Sequence, residues 1–571
     1  MRRTYRGADS GEDEPTLSAA ESRRFRTMYA TRSRIIGAAG FLIGAASVIP
    51  GLLRDSGAAD GPPQTPPAVG SPKEAGKTIG QVLREAARAV QSAPDPASRT
   101  YALVEIIKAQ GRAGDKEGAL ESARQATAAA LTLAPNPRYW ALVAIAWARS
   151  VAGDREGALN ALRLARRQAE EIGTDSGQVQ ALRMIATSQF DLGEPAAATE
   201  TIAKLRKIAL AIKPRGNNRV GPLGNLVWAQ TYVGDDDGAF RTVEAAGADD
   251  HHLQGRLYEA MVAAATADSG YYLQPRKTLD EGDRKVRRQV LDRIIKIVEP
   301  FEFAEDRPDM QLAIGLASLG DIEAALRFAH RFGKGPIKYA HTIDLTAAPL
   351  VLSAVGGYQG KAGHLAEARR TLQEALDMVR RDPALAFRRL GQVALGQSEA
   401  GDVAGALKTV ESLEPEQRVS FLMEMAEEQE KRGGMADSRV TFRRALEEAE
   451  RCLRATRPQP ASDRTPKGIL GDADGKVIPR DRAEPEIQRK DDLLARMVKL
   501  HAKLGDLRAA VETFRSITGE NYRGWAASDI ADARSKAGYV EGALAWALAL
   551  DTPTVRAWAL RGLAAGALAG R

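Results

Sequence analysis

A glycine followed five residues later by an alanine recurs along this chain, and this pattern restricts the fold more than any other feature. The segments are AGDKEGAL around Gly114, AGDREGAL around Gly153, LGEPAAAT around Gly193 and VGDDDGAF around Gly234. They continue as LGDIEAAL around Gly320, AGHLAEAR around Gly363, AGDVAGAL around Gly401 and RGGMADSR around Gly433. The last two are LGDLRAAV around Gly505 and AGYVEGAL around Gly538. The residue five past the glycine is alanine in every case except Ser438. A repeat of this length marks a stacked array, in which each unit buries its apolar face against the next.

The spacing works as a ruler. The glycines are 39, 40 and 41 residues apart up to Gly234, and then 86 residues pass before Gly320. That step holds one further unit, with helices expected near Arg256–Ala267 and Arg284–Val298 and an inserted loop near 268–283. The 72 residues between Gly433 and Gly505 hold a second insertion, rich in Pro, Asp and charged residues, near 457–485. Residues 78–92 have helical spacing and are expected to cap the first end of the array.

Each unit reads as two helices. Residues eleven and eight before the glycine are mostly Leu, Ile, Val or Met, which share one helix face. The residue seven before is usually small (Ala146, Ala186, Ala313, Gly356, Ala394, Ala426, Ala531) and admits a neighbouring helix. The glycine suits a left-handed helix end. Asp115, Asp154, Asp235, Asp321, Asp402 and Asp506 follow it as N-caps for the second helix. This Leu-x-x-Ile-Ala…Gly-Asp-x-x-x-Ala frame, repeated over roughly residues 97–550, resembles the tetratricopeptide repeat family. The resemblance implies an all-α fold: an α-solenoid of about eleven helix-turn-helix repeats forming a right-handed superhelix. It also implies a binding scaffold whose first helices line a concave groove. Two departures stand out. The period near 40 exceeds the family's usual length of about 34. Four residues before the glycine, where the family often has an aromatic, stand Gln110, Gln189, Gln230, Gln359, Gln397 and Gln429. These are expected to hydrogen-bond the turns between units.

Aromatic residues are only 5% of the chain, so small apolar side chains must do most of the packing. The net charge of +7 is small for 571 residues, and much of the basic excess lies in the first 34, so no nucleic-acid partner is implied. A single cysteine, Cys452, excludes an intramolecular disulfide framework. Residues 1–34 read as a polar basic cytoplasmic arm, 35–53 as a transmembrane helix, 54–77 as a Pro/Gly/Ala-rich linker and 78–571 as the repeat array. The uncharged run Ile35–Leu53 has 19 residues, about the minimum for a bilayer crossing, with arginines clustered before it. The expectation is a single-pass cell-membrane protein with its repeats on the non-cytoplasmic side. A cleaved signal is the rival reading of the same stretch.

The tryptophans are placed against the repeat frame. Trp140 and Trp525 lie thirteen residues before their glycines, Trp147 and Trp228 six before theirs. Offsets that differ by seven share a helix face. Trp558 holds the thirteen-before place in a last, incomplete unit, and Tyr101 falls on the same broad face. Trp140, Trp147, Phe190 and Trp228 are the candidate peptide-binding groove, since aromatic anchors bury large area at low entropic cost. The bland alternative is that these rings pack between adjacent first helices. Phosphate-loop, dinucleotide, zincin and hydrolase motifs are absent, and the adjacent His251 and His252 make a poor chelate. No catalytic residue, cofactor or metal is therefore assigned. The partner is expected to be an unidentified protein or peptide, with membrane contact through the N-terminal helix. A carboxylate pair hidden in the groove, and self-association through the Ala-rich ends, are the alternatives. Exposed apolar surface on Trp558–Leu568 is the feature that would favour the second.

Overall fold

The computed structural model describes residues 78–213, 219–246, 250–266, 281–332, 334, 348–381, 383–455 and 483–568. Those residues form twenty-four α-helices and a short 3-10 turn at Ala304–Asp306, with no strand among them. The first eight are α1 Ile79–Val90, α2 Pro96–Arg112, α3 Lys116–Leu131, α4 Pro135–Val151, α5 Arg155–Ala169, α6 Asp175–Asp191, α7 Pro195–Ala211 and α8 Val220–Val233. Then come α9 Asp236–Ala246, α10 His251–Thr266, α11 Glu281–Val298, α12 Asp309–Ser318, α13 Ile322–Arg331, α14 Ala348–Lys361, α15 Leu365–Arg381 and α16 Pro383–Glu399. The last are α17 Val403–Val410, α18 Pro415–Lys431, α19 Met435–Ala455, α20 Ala483–Leu504, α21 Leu507–Arg515, α22 Glu520–Lys536, α23 Val540–Leu548 and α24 Pro553–Gly566. The unit hidden between Gly234 and Gly320 is the pair α10–α11. Most of both expected insertions lies outside the described residues, and α11 and α20 begin within their far ends, at Glu281 and Ala483.

The turn inside each pair is built as its residues dictate. All ten marker glycines have positive φ, from 76° at Gly193 to 92° at Gly320. At Gly114 a Cβ would meet nothing within 4 Å, so conformation and not space requires glycine there. The Asp115 amide donates back to the Gln110 carbonyl at 2.9 Å, closing the helix end, and the Asp115 carboxylate accepts from the Gly118 amide at 3.0 Å. The same cap bond, also at 3.0 Å, recurs at Asp154, Asp235, Asp321, Asp402 and Asp506. The alanine five past each glycine is buried, as is Ser438, and so are the small residues seven before.

The six glutamines correct their expected role. All six are buried, and three of them, Gln189, Gln230 and Gln397, join the two helices of one pair. Thr201 donates to Gln189 Oε1 at 2.7 Å, Thr242 to Gln230 Oε1 at 2.9 Å and Thr409 to Gln397 Oε1 at 2.8 Å. Each of the six glutamines has a Ser or Thr twelve residues later: Ser122, Thr201, Thr242, Thr371, Thr409 or Thr441. Where the first position is Arg149, Leu316 or Arg534, the second is Ala161, Phe328 or Trp546. At the one remaining turn, before Gly505, His501 is followed by Thr513, so an amide or imidazole at the first position goes with a hydroxyl at the second.

The all-α solenoid is present, with twelve pairs where about eleven were expected, and its two ends meet. The last helix, α24, packs along α2, and α1 packs against α23 and α24 as well as α2 and α3. The incomplete unit at Trp558 thus acquires its second helix from the other end of the chain. Residues 78–92 thus cover the first pair and the last helix together. Val82, Leu83, Ala86, Ala87 and Val90 of α1 are buried, as are Val555, Ala559, Leu560 and Leu563 of α24. The apolar face of the terminal helix is therefore covered within the chain, which removes the feature that would have favoured end-to-end self-assembly.

Consecutive first helices (α2, α4, α6 and onward to α24) pack on one another, whereas second helices of neighbouring pairs barely touch, except where α1 meets α23 and α3 at the closure. The circuit therefore curves with the first helices on its inner side. One joint differs. Between α18 and α20 long charged side chains span the gap, with Arg489–Glu416, Lys499–Glu427 and Lys503–Glu430 each at 2.6 Å.

The expected membrane anchorage is corrected. Among the described residues no helix is long and apolar enough to cross a membrane. The Ile35–Leu53 stretch, with the arm before it and the linker after it, lies outside the described residues.

Candidate ligand-binding wall

Along each first helix the residues eleven, eight and seven before the turn glycine are buried toward the second helix. Among the described side chains the residues thirteen and six before it stay partly open, apart from the buried Gly357, and they form the inner wall. Trp140, Trp147 and Trp228 are half-buried at these positions, and Phe190, three before Gly193, is half-buried as well. Phe190 of α6 and Trp228 of α8 converge on Tyr232. Trp228 stacks on it with centroids 4.9 Å apart, and Phe190 meets it edge-on at 6.2 Å. The Tyr232 hydroxyl donates to Asp191 Oδ1 at 2.9 Å, which fixes the ring between the two helices. Trp140 and Trp147 stand on α4, and Trp140 lies 5.6 Å from the buried Tyr139 ring.

Cations from neighbouring helices cover two of these rings. Lys108 Nζ of α2 lies 3.7 Å above the Trp147 ring, and the Arg183 guanidinium of α6 lies 4.7 Å above Trp228. In each case the cation comes from the preceding first helix and the indole from the next, so the rings also serve to pack adjacent pairs. Lys108 sits six before Gly114, the place Trp147 holds before Gly153, so its position was visible on the ruler while its contact was not. Burial pulls the Lys108 ammonium below its usual range, and Glu105 at 2.9 Å pulls the other way. A cation over an indole in such a wall gains from reduced solvation.

Carboxylates occupy other parts of the wall. Burial pushes Glu259 of α10 up to about 7 against the pull of Arg256, 2.7 Å away. Burial likewise pushes Asp529 of α22 up to about 6 against the pull of Lys499. These two carboxylates stand six pairs apart around the circuit and do not converge. His251 stacks on Phe301 at 4.4 Å and His252 faces Asp306 at 3.6 Å, both at the start of α10. Among the described residues no group of three His, Cys, Asp or Glu side chains could hold a metal ion.

No protein-family model matches the chain, and no curated protein matches it. Solved structures do align. The crystal structure of Ton1535 from Thermococcus onnurineus NA1 is 17% identical, with 60% of this chain and 94% of that one covered and a TM-score of 0.26. A human IFIT1 dimer with PPP-AAAA is 13% identical, with 76% and 98% covered and a TM-score of 0.22. A circular tandem repeat protein with a novel repeat topology is 14% identical, with 85% and 97% covered and a TM-score of 0.19. At these scores the likeness carries no argument about a ligand. What the geometry itself establishes is a helical-repeat protein whose pairs close on themselves.

Proposed function

We propose that the closed array is a non-catalytic scaffold that holds an extended segment of a partner protein against its inner wall. The observation that carries this reading is the set of half-exposed aromatic rings, Trp140, Trp147, Phe190 and Trp228, on the concave side. Large rings left partly open in a concave wall are the anchors that peptide recognition uses. An enzyme reading asks for two convergent carboxylates; burial raises Asp236, Glu259, Glu424 and Asp529, on α9, α10, α18 and α22, and none of the four is among the charges that act on another.

The test is selection of a displayed random-peptide library on the full-length protein, followed by affinity measurement on variants. At least one of Trp140→Ala, Trp147→Ala, Phe190→Ala and Trp228→Ala should weaken the recovered peptides by about tenfold. Arg443→Ala, on the exposed outer side of α19, should leave affinity unchanged. Equal affinities across all inner-wall variants that melt like the wild type would overturn the reading.

A further inference from the structure

The joint where the circuit closes carries an aromatic row that neither end of the chain contains alone. Trp525, Trp558, Tyr101 and Trp140 belong to α22, α24, α2 and α4, which are consecutive first helices around the closure. Each is the sixth residue of its helix, so the four stand at one level. Thirteen before the turn glycine, the flanking helices α6 and α20 carry Gln180 and Asp492, which end the row on either side. Tyr101 is 38% exposed and Trp525 36%, among the few large apolar side chains the fold leaves open. Trp558 lies across Gly524, where a Cβ would come within 2.8 Å of its ring, so the missing side chain seats the indole on α22.

Arg561, one turn beyond Trp558, lies 5.0 Å above that ring. Among the described residues it makes no ion pair. It also acts on Tyr101 and Lys108 across the closure. The joint is therefore an aromatic strip with an uncompensated cation on one side.

We propose that this strip binds a proline-rich segment in polyproline II form, with an acidic side chain meeting Arg561; the proposal rests on the inner wall being the binding surface. The spacing carries it. Packed helices stand roughly 8–10 Å apart, and α24 lies closer to α22 than side-chain-separated helices do, since Gly562 and Gly566 meet the α22 backbone. Polyproline II advances about 3.1 Å per residue with three residues per turn, or about 9.3 Å per turn. A proline at every third position therefore meets one ring per helix, and about ten residues cover the row. Aromatic-lined grooves favour this conformer because it is already extended and loses little entropy on docking.

The test uses the full chain and a fluorescein-labelled twelve-residue peptide of Asp-Pro-Pro triplets, read by anisotropy. Asp-Gly-Ser and Lys-Pro-Pro peptides of the same length and a twelve-residue oligouridine are the comparisons. The Asp-Pro-Pro peptide should bind saturably and more tightly than the others. Trp558→Ala and Tyr101→Ala should each weaken it by about tenfold, while Arg443→Ala on the exposed outer side of α19 stays within about twofold. Arg561→Glu, which leaves the packing residues in place, should reverse the preference to Lys-Pro-Pro. Thermal melts show which variants remain folded, and the Arg561 swap decides should the ring substitutions unfold the protein. Binding that depends on Trp147 or Trp228 and not on Trp558 would overturn the joint site while leaving the wall as a binding surface. No binding of the Asp-Pro-Pro peptide, or binding of oligouridine alone, would overturn the proposal directly.

Discussion

Arg84 of α1 donates from Nε to Asp115 Oδ2 at 2.8 Å, and the other oxygen of that carboxylate accepts from the Gly118 amide that opens α3. One side chain thus caps a helix and ties down the helix that closes the circuit. The Asp115 carboxyl is held below its usual range, first by the Arg84 hydrogen bond, with burial acting against it. A depressed carboxyl stabilises the fold above its unfolded value, and that contribution is lost as pH falls through the lower folded value. Asp115→Ala should cost about 1 kcal/mol for the cap alone. Because it also frees α1, it should cost more than Asp402→Ala, which removes only a cap. Urea unfolding of the two variants gives the comparison, and amide exchange should rise in α1 for Asp115→Ala alone.

The buried Gln–Thr pairs predict an asymmetric mutant cycle. Thr242→Val removes the donor from Gln230 Oε1 and leaves a buried amide oxygen without that bond, at about 1–3 kcal/mol. The double change Gln230→Leu with Thr242→Val replaces both partners by apolar groups of similar size. It should recover most of the loss. A double variant no more stable than the single one would mean that Gln230 is held by its contact with the Asp235 side chain at 3.3 Å instead.

Features that act within one unit were legible in the sequence. Gly114, Asp115 and Ala119 lie within six residues, and their conformations are set by local geometry that does not depend on the rest of the chain. The Gln–Thr pairing was half legible: the twelve-residue interval was there to read, but an amide reaches a turn as easily as a facing helix. Closure was not legible. It depends on small rotations summed over every pair, and α1 meets α24 across almost the whole array. For the same reason Trp140 could be placed on the inner face, while its neighbourhood with Tyr101, Trp558 and Trp525 could not. Lys108 and Arg183 were missed because a helix wheel shows which face a cation occupies and not which ring the next helix brings beneath it.

Glu259 predicts how stability changes with pH. Its folded value of about 7, set by burial, lies above the ordinary carboxylate value. The folded state therefore binds more protons than the unfolded state between about pH 4 and 7, so stability falls as pH rises through that window. Glu259→Gln stays neutral and should remove that slope. The variant should match the wild type near pH 4 and exceed it near pH 8 by on the order of 1–3 kcal/mol. Chemical denaturation at the two pH values reads it. A variant less stable than the wild type at pH 8 would show that the ion pair with Arg256 outweighs the burial.

Removing α1 should convert the closed circuit into an open, adhesive one. Deletion of residues 1–92 leaves every turn glycine and its cap in place but takes away the second helix of the α24 pair. Part of the apolar surface around Leu560 and Leu563, buried in the intact chain, is then exposed to water. Each large apolar side chain newly exposed costs roughly 1.5–3 kcal/mol. An exposed contiguous apolar face also promotes association. The truncated chain should melt at a lower temperature and show a mass that grows with concentration in sedimentation. Adding α1 back as a synthetic peptide spanning residues 78–92 should restore the mass and melting of the full-length protein. Arg84→Glu in that peptide should weaken the rescue, because it sets two carboxylates against each other at Asp115. A truncated chain that stays monomeric and melts with the full-length protein would show that α24 is held by α2 and α22 alone.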